Sequence, residues 1–226
     1  MKSHWFVFSL SLVLLSITLN AQEDYFQQEV HYKITAKLDD STHTVIAMME
    51  IDYTNNAPDA LNEIYFHLWP NAYSTKETAF AKQKLRDGST RFHYAKPNEL
   101  GGLSNLDFTV DGTQADWAYD EKNPDIALVK LANPIPSGAT VKIVTPFTLK
   151  IPSSFSRLGH VGTSYQMTQW YPKPAVYDKN GWHPMPYLNL GEFYSEFGSF
   201  DVSITLPENY VVGATGVLQT ESEKAF

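Results

Sequence analysis

The chain has 226 residues, of which 43% are hydrophobic, 14% aromatic and 19% charged, a composition that forms a core and excludes a disordered chain. Its formal net charge of −8 disfavours nucleic acid as the main partner. The absence of cysteine excludes thiolate nucleophiles, iron–sulfur clusters and zinc sites built from cysteine.

Residues 1–21 have the pattern of a secretory signal peptide. Lys2 precedes an uncharged run over residues 5–19, and the small residue Ala21 offers a cleavage point before Gln22. A membrane anchor is the alternative, but the run is shorter than the about 20 residues that cross a bilayer. We therefore predict cleavage after Ala21 and a mature domain over residues 22–226 that is secreted or periplasmic and has no membrane span.

Alternating apolar and polar residues predict a β-hairpin near the start of the mature chain. The alternation runs over residues 30–38, and after a turn cluster at 39–42 it resumes over residues 45–53. Ile46 and Met48 are apolar on the second face as well, so we expect this second strand to be covered on both sides.

The remainder of the chain predicts more short strands and one helix. Residues 61–69 predict a third strand that ends before Pro70, and the helix formers of residues 77–86 predict a short helix within a long excursion. Further strands are predicted over residues 106–110, 126–131, 140–147, 200–206 and 210–217. Short strands between turn signals predict an all-β fold, an antiparallel β-sandwich or a barrel.

The common motifs of hydrolase chemistry are absent from the sequence. No histidine is followed by Glu, which excludes HExxH, and neither GxSxG nor a glycine-rich phosphate loop occurs. His31 and His43 fall on the polar faces of neighbouring predicted strands. Glu192 and Glu196 could form the carboxylate pair of a glycosidase, although solvated residues of a turn are the simpler interpretation.

The segment 165–187 differs from the rest because it combines four prolines with several large aromatic residues. Proline removes a backbone donor and fixes φ, so neither a helix nor a central strand is expected there. Two interpretations stay open: a loop that packs back onto its own sheet, and a surface that contacts a substrate or another domain.

Three stretches of the chain occur together, in this order, in a known family. They are LANPIPSG at residues 131–138 with the strand that follows it, QWYPKPAVYDKNGWHPMPY at 169–187, and GEFYSEFGSFDVSITLPENYVVGATG at 191–216. They resemble the N-terminal β domain of the aminopeptidase N family of zinc metallopeptidases (gluzincins), and the last two resemble its secreted bacterial branch. The resemblance covers essentially all of residues 28–219 and implies a saddle-like antiparallel β-sandwich.

The resemblance also implies what this chain lacks. In the family a following catalytic domain carries HExxH, a further Glu for zinc and a Tyr, and none of these can be placed in this sequence. We therefore expect no catalytic residue, no metal ligand and no cofactor in this chain, and zinc only in the full-length enzyme, which would hydrolyse N-terminal peptide bonds. Expected partners are that catalytic domain and the N-terminus of a peptide. The isolated chain should be inactive and, with its docking face bare, should self-associate.

One substrate contact of the family comes from the β domain, where a Gln or Glu helps to hold the free amine of the peptide. By resemblance Gln166 is the first candidate and Gln169 the second, and Tyr171, Pro172 and Lys173 stand where the family has an Arg. A neutral Gln accepts a hydrogen bond from an ammonium without burying an unpaired charge. The alternatives are a Gln that only satisfies loop backbone groups and, for the whole chain, a free-standing secreted β module that binds peptide or glycan.

Overall fold

The strands of this protein form two packed sheets and two small hairpins. The computed structural model describes residues 25–224, so the predicted signal peptide lies outside the described residues. In chain order the elements are β1 (Glu29–Asp39), β2 (Thr44–Thr54), β3 (Leu61–His67), a 3-10 helix (Trp69–Tyr73), α1 (Ala79–Arg86), β4 (Gly102–Ser104), β5 (Thr109–Val110), β6 (Thr113–Gln114), β7 (Asp116–Tyr119), β8 (Ile126–Ile135), β9 (Thr140–Lys150), β10 (Leu158–Val161), β11 (Ser164–Met167), β12 (Lys173–Pro174), β13 (Tyr177–Asp178), β14 (Gly181–Trp182), β15 (Ser199–Thr205) and a second 3-10 helix (Glu221–Glu223).

The larger sheet has the strand order β15-β1-β2-β9-β5-β6, with β4 also paired to β9. Strands β1, β2 and β9 pair antiparallel along their whole length, whereas β15 pairs with β1 in parallel. The sheet is therefore mixed, which the prediction of an antiparallel sandwich did not include. The smaller sheet has the order β12-β3-β8-β7, and all of its pairs are antiparallel.

The core lies between the two sheets. Because successive side chains of a strand point to opposite faces, every second side chain of each central strand points into the core. Ile34 of β1, Ile51 of β2 and Phe147 of β9 are examples, each at most 1% exposed. Phe66 of β3 contacts Phe108 with ring centroids 4.8 Å apart, and one apolar cluster joins the two sheets. Each such side chain contributes about 1.5–3 kcal/mol by leaving water. The predicted all-β sandwich is confirmed.

The excursion after β3 closes one end of the sandwich. The predicted helix is confirmed as α1, and the Thr78 hydroxyl caps it by accepting from the Ala81 N–H at 3.2 Å. Phe80 packs against Tyr187, with ring centroids 5.6 Å apart. The side-chain Oε1 of Gln83 accepts from the backbone N–H of Asn189 at 2.6 Å, which ties the helix to the residues just after the proline-rich segment.

Three local predictions were wrong, each for a physical reason. Ile46 and Met48 are 61% and 45% exposed, because the second face of β2 belongs to the solvent side of the sheet. Strand β8 extends to Ile135, beyond its predicted end at residue 131, and it accommodates Pro134 because the register with β3 shifts between Leu61 and Glu63 and pairs no residue with the proline. Residues 210–217 form no strand. Among residues 25–224, no helix is long and apolar enough to span a bilayer.

Candidate functional site

The two glutamines predicted to hold an amine lie in different surroundings. Gln166 is exposed on β11, opposite Gly159 of β10 in a short hairpin. Gln169 follows the hairpin and is half-buried, with a φ of 55° in the left-handed region. A non-glycine residue there costs on the order of 1 kcal/mol, which surrounding contacts must offset.

The contact that holds Gln169 in place is made with Lys173. The Lys173 ammonium donates a hydrogen bond to the Gln169 side-chain carbonyl oxygen. Lys173 is only 7% exposed, and its Nζ lies 3.9 Å from the centre of the Trp69 ring. The Lys173 amine thus lies between a neutral amide and an aromatic face. Together these two groups stabilise the protonated amine less than a carboxylate partner would.

Burial therefore controls the charge of this amine. It lowers the pKa of Lys173 to about 7. His67, which pairs with Lys173 across β3 and β12, has its pKa lowered to about 3, first by burial and then by the Lys173 charge. The His67 ring stacks on Trp69 at 4.4 Å, and its Nε2 accepts from the Met185 N–H at 3.0 Å. His67 is accordingly neutral, with its proton on Nδ1, a buried atom that has no hydrogen-bond partner among the described residues.

A second feature is a cavity of about 190 Å³ beside the β13–β14 hairpin. Aromatic rings form much of its wall and two carboxylates, Asp178 and Glu196, lie in it. The lining residues are Tyr25, Phe26, Gln27, Val176, Tyr177, Asp178, Lys179, Tyr194, Ser195, Glu196 and Phe197. The cavity suits a small group that carries positive charge, because aromatic faces and carboxylates both attract cations.

The two carboxylates of the cavity differ in electrostatics. Asp178 Oδ1 accepts from His183 Nε2 at 2.8 Å, and Asp178 Oδ2 accepts from the Tyr194 hydroxyl at 3.3 Å. The hydrogen bond from His183 is the main reason that the pKa of Asp178 is lowered. Burial raises the pKa of Glu196. The hydroxyl of Ser195 is buried and has no hydrogen-bond partner within residues 25–224.

The glycosidase alternative gains no geometric support. Glu196 lies in the cavity, whereas Glu192 is exposed and does not line it. A pair that cleaves a glycoside must flank one bond. The only carboxylate beside Glu196 in the lining is Asp178, which is already hydrogen-bonded to His183 and Tyr194.

No metal centre is built by the described part of the chain. Within residues 25–224 there is no group of three or more His, Asp or Glu side chains that could hold a metal ion. His31 instead contacts the hydroxyl of Ser199 at 2.7 Å, and His43 stacks on His160 with ring centroids 3.7 Å apart. Residues 25–224 therefore offer no such ligand set for the zinc that the resemblance implies.

The proline-rich segment packs back onto the sandwich, in agreement with the first of its two interpretations. Ala175, Val176 and Tyr187 are at most 4% exposed. Sequence reasoning did not single out Lys173, His67 or the hydrogen-bonded Asp178 and His183. A signal did exist for Lys173, because a lysine between two prolines in an aromatic run has little freedom to reach solvent.

Comparison with known proteins gives structural neighbours only. No protein-family profile matches the chain, and no curated protein matches it. Among solved structures the chain is similar to an M1 zinc metallopeptidase of Deinococcus radiodurans, in a mutant bound to a Tyr-Ser-Ala substrate, with 14% identity and a TM-score of 0.48 over 88% of this chain and 36% of that one. It is also similar to a two-domain M1 zinc metallopeptidase mutant bound to L-arginine, with 14% identity and a TM-score of 0.48 over 86% of this chain and 36% of that one.

The unmutated Deinococcus radiodurans enzyme gives the same result, with 14% identity and a TM-score of 0.45 over 88% of this chain and 36% of that one. The chain therefore spans little more than a third of the length of these structures. These neighbours are M1 zinc metallopeptidases, and the resemblance seen in the sequence is also to zinc metallopeptidases.

Proposed function

We propose that this chain is the N-terminal, non-catalytic β domain of a secreted zinc aminopeptidase-like metallopeptidase. The observation that carries the proposal is the resemblance over residues 28–219. This resemblance implies a β-sandwich, and the structure is an all-β sandwich. The full-length enzyme would bind zinc in a following catalytic domain and release N-terminal amino acids from peptides.

Within this proposal Gln166 and Gln169 have different roles. Gln166 lies exposed on the β10–β11 hairpin, where its amide oxygen can accept from a substrate ammonium. The oxygen of Gln169 already accepts from Lys173, so we assign Gln169 to holding the loop. The proposal therefore keeps Gln166 as the first candidate for the substrate contact.

The proposal is tested in two steps. First, the nucleotide sequence that follows the codon of Phe226 in the native transcript should encode an HExxH region in the same reading frame. Second, residues 22–226 purified alone should release no nitroaniline from aminoacyl-nitroanilides in a chelator-sensitive reaction. A stop codon followed by an unrelated gene, or chelator-sensitive turnover by this polypeptide, would contradict the proposal.

A second candidate function is a free-standing secreted module that binds peptide or glycan, and the cavity beside β13 and β14 favours it. Its carboxylates and aromatic walls suit the ammonium group of a peptide better than a neutral sugar. A titration with a tripeptide, followed by tyrosine and tryptophan fluorescence, tests this candidate. Binding that is lost in Glu196→Gln and kept in the exposed control Glu192→Gln would support it, and no saturable signal from the native chain would exclude it.

A further inference from the structure

The β10–β11 hairpin, which carries Gln166, contacts the sandwich through the face opposite to that glutamine. His160 of β10 pairs with Tyr165 of β11, and Gly159 pairs with Gln166. Paired residues lie on the same side of a sheet, and successive residues of a strand lie on opposite sides. His160 and Tyr165 therefore share one face of the hairpin, and Gln166 lies on the other face.

His43, in the turn between β1 and β2, contacts both aromatic residues of that face. Its ring stacks on the His160 ring with centroids 3.7 Å apart and an interplanar angle of 20°. Its Nδ1 lies 2.7 Å from the hydroxyl oxygen of Tyr165. The His43 carbonyl oxygen accepts from the Ile151 N–H at 2.8 Å, which ties the turn to the residue that follows β9. The position of the His43 ring beside the hairpin is thus fixed by the sandwich.

The two stacked rings can share one positive charge but not two. His160 Nδ1 lies 3.1 Å from the Gly162 carbonyl oxygen, which only accepts, so the neutral ring carries its proton on Nδ1 and takes a second proton on Nε2. His43 keeps its hydrogen bond when it is protonated alone, because its Nδ1–H can donate to the Tyr165 oxygen. Protonation of both rings places two like charges about 4 Å apart, which repel each other.

The charges around the pair compensate this repulsion only in part. The surrounding titratable groups are Asp39 and Asp40 of the turn, Lys150 at the end of β9, Tyr165 of β11 and Tyr210. Burial lowers the pKa of His43, the charge of His160 lowers it further, and Asp40 has the smallest influence, in the opposite direction. Asp40 Oδ2 already accepts from the Tyr210 hydroxyl at 2.9 Å. Lys150 Nζ donates to the Pro97 carbonyl oxygen at 3.3 Å.

We propose that His43 and His160 form a proton-sensitive latch, which holds the β10–β11 hairpin and its Gln166 against the β1–β2 turn until both rings are protonated. The released hairpin then binds one more proton than the held hairpin. The ratio of held to released molecules should therefore fall by about tenfold per pH unit below the ordinary histidine pKa of about 6.5. The consequence for a substrate rests on the proposed function of Gln166, whereas the latch itself does not.

The latch is tested by the distance between two spin labels, which can be attached to single introduced cysteines because the native chain has none. One label on Val161→Cys, at the exposed tip of the hairpin, and one on Lys37→Cys of β1 report the position of the hairpin on the sandwich. We expect one narrow distance at pH 7.5 and a second, longer distance at pH 5. The control pair Lys37→Cys and Lys130→Cys joins two strands of the sandwich and should give the same distance at both pH values.

A variant separates the charge of the latch from its packing. His160→Phe keeps an aromatic ring on His43 but cannot be protonated, so the hairpin should stay held at pH 5. A histidine that only packs would give no such rescue. His93→Phe is the matched control, since His93 is exposed and outside the hairpin, and it should keep the native response to pH.

Three results would overturn the proposal. They are a native hairpin distance that is the same at both pH values, a His160→Phe protein that responds to acid as the native chain does, and a control pair that lengthens together with the hairpin pair, which would indicate general unfolding. These measurements need neither zinc nor substrate. Their failure would leave the enzymatic proposal standing, and a failure of the enzymatic proposal would leave the latch standing.

Discussion

Strands β2 and β15 belong to the same sheet but differ in how their apolar residues are used. The inner row of β2, from Val45 to Tyr53, is at most 6% exposed, whereas the corresponding row of β15 is nearly half exposed. The two inner rows look alike in the sequence, since each has an apolar residue at every second position. The difference arises because the smaller sheet covers the middle of the larger one and not its β15 edge. Alternating apolar residues thus identify a strand. Whether the apolar row of that strand is buried depends on whether the smaller sheet packs over it.

The largest expected effect comes from the covered strand. Ile51 is 0% exposed, so Ile51→Ala should lower the free energy of unfolding by about 2–5 kcal/mol through lost burial and a residual cavity. Val202→Ala, on the exposed row, should cost about 0.5 kcal/mol or less. Urea denaturation of the two variants measures the contrast. Equal losses would mean that β15 is buried as deeply as β2.

An intermediate effect on stability is expected at Lys173, which belongs to the proline-rich segment and pairs with His67 of β3. Its pKa in the folded protein, about 7, is below the ordinary value of 10.5, so folding favours the neutral amine. Between pH 7 and pH 10.5 the unfolded chain keeps the Lys173 proton that the folded protein has lost. Lys173 therefore destabilises the fold most below pH 7 and progressively less as the pH rises toward 10.5.

Replacement of Lys173 should make this contribution visible. Lys173→Met keeps most of the side-chain volume, and at pH 6 it should stabilise the protein by on the order of 2 kcal/mol after the lost contacts to Trp69 and Gln169 are subtracted. The gain should shrink or reverse by pH 9.5. Urea unfolding of both proteins at the two pH values measures the difference. A constant difference across that range would show that Lys173 keeps its charge throughout.

The smallest expected effect on the free energy of unfolding is the difference between the Gln166 and Gln169 variants. Gln169→Ala removes the hydrogen-bond acceptor of a buried amine and should cost about 1–2 kcal/mol at pH 6. Gln166→Ala, at an exposed position of β11, should change stability by about 0.5 kcal/mol or less. Thermal unfolding in one buffer compares them directly. A larger loss in Gln166→Ala would reverse the assignment of Gln169 as the structural residue.

The sequence predicts the positions of the strands better than it predicts which strands pair and which faces pack together. Alternation located β1, β2 and β9 to within a few residues, because a half-covered strand leaves that pattern. It did not reveal that β15 lies parallel to β1 or that Ile46 is exposed, since both depend on which layers meet in space. For the candidate site, the sequence singled out residues 165–187 but did not reveal the burial of Lys173, which depends on contact with Trp69 on a distant part of the chain.

We propose that this chain supports a zinc enzyme without containing its reaction centre. The most direct measurement is the release of nitroaniline from aminoacyl-nitroanilides by residues 22–226, assayed with added zinc and again with a chelator. The account predicts the same background rate in both. A rate that rises with zinc and falls with the chelator would contradict it, because the reaction centre would then lie within this polypeptide.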